Sequence, residues 1–452
     1  MNTYKKRGWS SRSAGLGRRL AKLLYGCAGC ALLLGATQAH AATVVTNSTI
    51  STVTYAQTNV PVTFGQVFKQ GDVPAGSTVV ATLNGQPISL QVDAKATHAD
   101  GSLRHAVVTT TVPSLAGAAK LPLTLSAGKP AGAAGPISLS QLLATSYDAN
   151  VSLNIGGQKY TASARTLLQA AKTTNTCKPW GTQCNQWLSG AQTSEWIVNG
   201  PVTSTSGVVN PNLRIYFAVR VYASGAQGSV RQVRTDVIVE NTSAFTPQAQ
   251  PQYVATITSG NEVYSSPALT QYTATRWHKV LWWNHVQPGV YVQQDTGYIQ
   301  ASKAVSRYMP LQPDEKFLAG LRQTCAPLDH CDQTQKMHMT GAQAGIGPLP
   351  RWTSVYIVNP DVRAYNWMLA NTDALGAYDI HYRDHATGWP VSIQDHPNVT
   401  TAAWAYASGV AKQALTGSAA NQAKIAAYRR DLLPNCVNNA VVTGCTTASY
   451  GT

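Results

Sequence analysis

From Ala42 to about Gln300 the chain keeps returning to one pattern: β-branched and aromatic residues alternate with polar ones and are interrupted by Gly, Asn-Gly or Asp-Gly. A period of two marks a strand with one buried face, because successive side chains leave the pleat on opposite sides. In Arg231 to Glu240, Val233, Thr235, Val237 and Val239 share one face while Arg234, Asp236 and Ile238 share the other. LRIYFAVRVYA just before it has the same texture, so the two read as neighbouring strands. Asn84-Gly85 and Asp100-Gly101 fit tight hairpin turns. The pattern predicts a small N-terminal β-barrel over 42–130 and, beyond the Gly/Ala/Pro-rich linker AGKPAGAAGP, a central β-sandwich over 137–300.

Past residue 301 the texture turns helical. Asp361 to Asn371, Thr400 to Leu415 and Ser418 to Leu433 each set small or aromatic residues on one face, the first two with an Asp or Thr at the start to cap the helix. A C-terminal helical domain over 301–452 is therefore expected, ending in the polar tail NCVNNAVVTGCTTASYGT. The architecture reads as multidomain, β first and α last, and no 20-to-50-residue repeat is evident.

Residues 1–41 read as a signal peptide. Lys5, Lys6, Arg7, Arg12, Arg18, Arg19 and Lys22 precede an apolar run, and Ala39-His40-Ala41 fits signal-peptidase cleavage after Ala41. Loss of those seven cations lowers the formal charge from +15 to +8. The expected product is secreted or periplasmic, with no later stretch apolar enough to span a membrane. Its six cysteines fall into three close couples, Cys177 with Cys184, Cys325 with Cys331 and Cys436 with Cys445. In an exported chain, such couples are most simply local disulfides. The surplus of cations would attract an acidic partner. Nucleic acid is not expected, since no Lys/Arg block is interleaved with aromatics.

TFGQVFKQGDVPAG, followed by an Asn-Gly turn and QVDAKATHADGSLRHAVV, resembles the N-terminal β-barrel domain of the exo-acting rhamnogalacturonan lyase and YetA-like proteins. That family has Pro where Val67 stands, and tends to aromatics where Thr97, His98 and His105 stand. The resemblance implies that a β-sandwich and an α/α toroid follow. The residues left for helices suffice only for a partial, toroid-like array. It also implies a carbohydrate ligand.

Two clusters and one isolated motif carry candidate chemistry. RWHKVLWWNH, Arg276 to His285, offers Trp277, His278, Trp283 and His285 for substrate binding, since indoles stack on sugar rings and cations hold carboxylates. The same residues also fit an idle strand in a sheet core. Arg351, after Pro350 at a helix mouth, could pair with a substrate carboxylate or simply stack on Trp352. DIHYRDHATGWPVSIQDH, from Asp379 to His396, gathers seven Asp, His or Arg among eighteen residues in a chain only 12% charged. β-Elimination on a uronate requires carboxylate neutralisation, C5 proton abstraction and protonation of the leaving oxygen. Arg383 or Arg351 suits the first step, His381 or His385 the second and Tyr382 the third, with Trp389 available to contact substrate.

A hydrolase would need two carboxylates about 5 to 10 Å apart, for which Asp384 and Asp395 are the dense pair. Only four glutamates lie beyond the leader, at 195, 240, 262 and 315. His381, Asp384, His385 and His396 form a mixed N/O set without the glutamate of a zincin, so no metal site is assigned. The elimination requires no cofactor, and calcium is left open. No Gly-x-Ser-x-Gly elbow, phosphate-binding loop or dinucleotide fingerprint is present. The expectation is an exported polysaccharide lyase acting on an acidic poly- or oligosaccharide. A non-catalytic glycan- or partner-binding protein and a glycoside hydrolase are the alternatives.

Overall fold

The computed structural model describes residues 43–52, 55–130, 132, 134–224, 229–242, 249–284, 287–333, 347–378, 380–383 and 390. The leader, the expected helices at 400–415 and 418–433 and the Cys436/Cys445 couple lie outside them. The described chain is mostly antiparallel β-sheet.

Two sheets face each other across the first core. One is five-stranded, in the order Val290–Gln294, Thr43–Thr52, Lys120–Gly128, Thr78–Leu83 and Gln86–Ile88. The other is three-stranded, with Leu103–Leu115 between Gln57–Val67 and Gln91–Thr97. Ile50, Val62, Phe68, Val108, Leu123 and Leu125 are buried between them. Asn84 and Gly85 both take positive φ, 49° and 79°, and join adjacent strands as the Asn-Gly signal predicts. The outer strand Val290–Gln294 arrives from far along the chain to pair with Thr43–Thr52, so the five-stranded sheet takes its last strand from beyond all the strands of a third sheet in sequence.

The third sheet has eleven strands and curls around one large core containing Leu153, Trp196, Phe217, Val237, Ile257 and Leu281. Along its main path run Glu262–Ser265, Gln252–Ser259, Ala149–Ile155, Gln158–Ser163, Thr193–Ser204, Val209–Ser224, Ser229–Asn241 and Thr275–Trp283. Side chains bring the two ends together. The Trp277 indole N–H donates to Tyr253 Oη at 2.7 Å, the Tyr264 and Trp277 rings lie 6.5 Å apart, and Glu262 accepts the Trp282 backbone N–H. The sequence places a barrel first and a sandwich second. Among the described strands, however, the pair of facing sheets comes first and the nearly closed sheet follows it. Which way a sheet closes depends on contacts between its end strands, and those ends are far apart in sequence.

A third, smaller core of Tyr291, Ile299, Tyr356, Ile357 and Ala364 gathers helices Thr296–Ala301 and Arg351–Val358 with Val362–Ala374. The helix expected from Asp361 runs from Val362 to Ala374, and the Asp361 carboxylate accepts the Arg363 N–H at its start. A tight 3-10 turn, Leu375–Ala377, follows. Disulfides join Cys177 to Cys184 and Cys325 to Cys331, as the spacing predicts. None of the described helices is long and apolar enough to cross a membrane.

Candidate functional site

Strands Val209–Ser224, Ser229–Asn241 and Thr275–Trp283 lie side by side, and the period of two sorts their residues. Val233, Val237, Val239, Trp277 and Leu281 turn into the core. Arg234, Asp236, Glu240, Arg276 and His278 fall on the opposite face by the same alternation. Arg214 and Tyr216 sit across from Glu240 and Ile238. The outer face of this sheet therefore carries a row of charge close to a large core.

Glu240 is the centre of that row and is only 1% exposed. Arg383 binds both of its carboxylate oxygens, Nε at 2.7 Å from Oε2 and Nη2 at 3.2 Å from Oε1. Arg276 Nη1 adds a contact at 3.3 Å, and the Thr242 hydroxyl donates at 3.0 Å. The Arg383 guanidinium also lies over the Tyr216 ring, 4.8 Å from its centroid. Burial on its own would lower the Arg383 pKa, but the Glu240 carboxylate outweighs it and holds the group above its ordinary value.

Backbone contacts fix the segment that delivers Arg383. The His381 N–H donates to the Ala274 carbonyl at 3.0 Å, and the Arg383 N–H to Thr242 at 2.7 Å. The preceding turn presses against the Trp-rich strand, and a Cβ at Gly376 would strike the Arg276 carbonyl. His381 Nε2 lies 3.0 Å from the Leu375 carbonyl and donates to it, while Tyr382 is exposed. The two clusters read from the sequence thus meet through Ala274, Arg276, His381 and Arg383.

His278 lies one step along the same face. Nδ1 contacts Asp236 at 2.8 Å and Nε2 contacts Asp373 at 3.4 Å, and Asp236 also pairs with Arg234 at 3.4 Å. Burial would lower the imidazole pKa, yet the two carboxylates overcome it and push it up to about 10. Asp236 in turn is held below the ordinary carboxylate value against its own burial by His278 and Arg234. At neutral pH His278 is an imidazolium bridging a sheet and a helix, with no lone pair to accept a proton.

The other expected residues are scattered. Trp277 is 3% exposed in the core, and Trp283 packs at its border with Tyr147 edge-on at 6.1 Å. Arg351 starts its helix 5.4 Å from the Phe317 ring and 6.0 Å from that of Trp367. His285, His385, Trp389, Asp384, Asp395 and His396 lie outside the described residues. All four glutamates beyond the leader have structural partners. Glu195 pairs with Arg220 at 2.9 Å, Glu240 with Arg383, Glu262 with the Trp282 amide, and Glu315 with Arg363. Among the described residues no group of His, Cys, Asp or Glu is arranged to hold a metal ion.

Sequence reading missed the anions that organise this face. Asp236 and Glu240 were legible as polar positions on an alternating strand, but nothing local to them announces Arg383, 143 residues away. No protein-family model matches the chain, and no curated protein matches its sequence.

Proposed function

We propose that the chain is an exported protein that binds an acidic glycan without cleaving it. The observation that carries this reading is the Arg383–Glu240 clasp. A guanidinium meant to neutralise a substrate carboxylate would need that capacity at the moment of reaction, whereas Arg383 already holds both oxygens of a buried carboxylate. His278 is charged between two aspartates and is no base at neutral pH, and the scarce glutamates are engaged elsewhere. The leader and the paired cysteines support export, the basic balance supports an acidic ligand, and the N-terminal resemblance to the exo-acting rhamnogalacturonan lyases supports carbohydrate.

The test is to run the protein through gels containing uronate polysaccharides while following ultraviolet absorbance of the same mixtures in solution. Retardation without an unsaturated product is the expected result. Accumulation of the chromophore would replace this reading with the lyase.

The lyase remains the second reading because the segment His381 to Arg383 is bonded to Ala274, and Arg276 shares the Glu240 carboxylate with Arg383. In it, His381 would abstract the proton and Tyr382 would serve the leaving oxygen. A chromophore produced by the parent chain and lost in both His381→Ala and Tyr382→Phe, with melting temperatures unchanged, would establish it.

A further inference from the structure

An aromatic pair stands apart from the charged face, one ring on a loop closed by a disulfide and the other on the strand that follows it. Cys177 and Cys184 lie directly opposite each other in adjacent parallel segments and are bonded, with the loop Lys178 to Gln183 between them. At its tip Trp180 is 62% exposed, the largest side chain so fully presented to solvent among the described residues. Its φ is +59°, a left-handed backbone that a bulky side chain rarely adopts. An exposed indole held in a disfavoured conformation is poorly explained by packing, and such strain concentrates where a side chain serves a ligand.

The loop is stiff. The Trp180 N–H donates to Asn185 Oδ1 at 2.9 Å, Asn199 Nδ2 donates to the Thr182 carbonyl at 2.9 Å, and a Cβ on Gly181 would collide with the Cys184 carbonyl. Trp187 stands beside Trp180, ring centroids 5.8 Å apart and planes at 79°, so the two indoles make a corner. Strand Cys184–Ser189 shifts register between Gln186 and Leu188, and the irregularity falls at Trp187, where it re-aims the side chain. Lys95, from a strand of the first core, braces it. Its Nζ lies 4.0 Å from the Trp187 ring centroid and donates to the Trp187 carbonyl. Lys178, Thr182 and Gln183 on the same loop are exposed.

We propose that this corner is a sugar-binding subsite for a uronic acid residue of a glycan chain, and this rests on the glycan-binding reading above. The apolar C–H face of a pyranose stacks on the Trp180 indole, the Trp187 ring closes one side, Thr182 and Gln183 meet ring hydroxyls, and the Lys178 ammonium pairs with the carboxylate. An indole platform fixed in advance by a disulfide, a close-packed glycine and a lysine brace loses little entropy when the ligand arrives. The basic balance of the chain matches the acidic occupant.

Affinity electrophoresis of the full, oxidised chain in gels containing polygalacturonate or alginate tests the proposal, with Trp180→Ala, Trp180→Phe and Lys178→Ala run beside the parent. The Ala variant should bind at least about tenfold more weakly, the Phe variant should keep part of the affinity, and Lys178→Ala should flatten the salt dependence. Trp180 is exposed, so the melting temperature of each variant should match the parent's. If Trp180→Ala is retarded as strongly as the parent, this subsite is overturned while the glycan-binding reading stands. If neither polysaccharide retards the parent, both fall. Co-sedimentation with anionic phosphatidylserine vesicles in the absence of any glycan binding would reassign the corner to a membrane surface and overturn the proposal.

Discussion

Arg383 grips Glu240 with two nitrogens across a separation of 143 residues, and in doing so ties the segment after the last described helix to the outer face of the curled sheet. Glu240 is buried and Arg383 largely so, which makes the pair a structural requirement for the strand beneath it. Removing one partner would strand a charge away from water.

Arg383→Met should therefore destabilise the chain by about 3 to 5 kcal/mol, less whatever Arg276 recovers by itself. Glu240→Gln combined with Arg383→Met should restore much of the loss, because the buried carboxylate is gone and Arg276, the cation left behind, is 40% exposed to water. Urea denaturation of the four members of this cycle measures the coupling. Strictly additive losses would mean that the contact contributes nothing in solution.

His278 predicts a pH dependence whose sign follows from its two aspartates. The folded pKa is raised from 6.5 to about 10, so the stabilisation is complete below the unfolded value and is lost as pH climbs through the folded one. Asp236, held below 3.8, acts in the opposite sense, its contribution fading as pH falls toward the acid range. The stability gap between the parent and His278→Gln should be widest near pH 5 to 6 and should narrow steadily on the alkaline side. Thermal melts across that range report it, and a gap that stays constant into the alkaline range would contradict the bridge.

Trp277 and Trp180 should behave as opposites. Trp277→Ala opens the core and abandons the hydrogen bond to Tyr253, with an expected loss of about 3 to 5 kcal/mol. Trp180→Ala should cost within about 0.5 kcal/mol. Chemical denaturation separates them, and a stable Trp277→Ala variant that had lost glycan binding would return the Trp-rich strand to the ligand.

The export proposed above predicts a mature chain that begins at Ala42 and carries no free thiol among its six cysteines. N-terminal sequencing and thiol titration in denaturant check both points. Two reactive thiols would mean that Cys436 and Cys445 are not bridged.

What was legible in the chain is what neighbours a few residues apart enforce. Alternation sorted Val233, Val237 and Val239 from Arg234 and Asp236, Asn84-Gly85 placed a turn, Asp361 capped a helix, and two close cysteine couples found each other. Those outcomes follow from pleat geometry, backbone preference and short loop closure, all of which act locally. The candidate site was legible only as residue types. The stretch from Asp379 to His396 concentrates ionisable groups, yet whether Arg383 meets a ligand or Glu240 depends on a partner in another strand. Which indoles face solvent was equally hidden, since Trp277 and Trp180 both sit in polar-looking stretches and only the curl of the sheet and the closed loop part them. Tertiary structure decided these matters because the worth of a charge or a ring depends on burial and on what lies within a few ångströms, and chain separation carries no record of either.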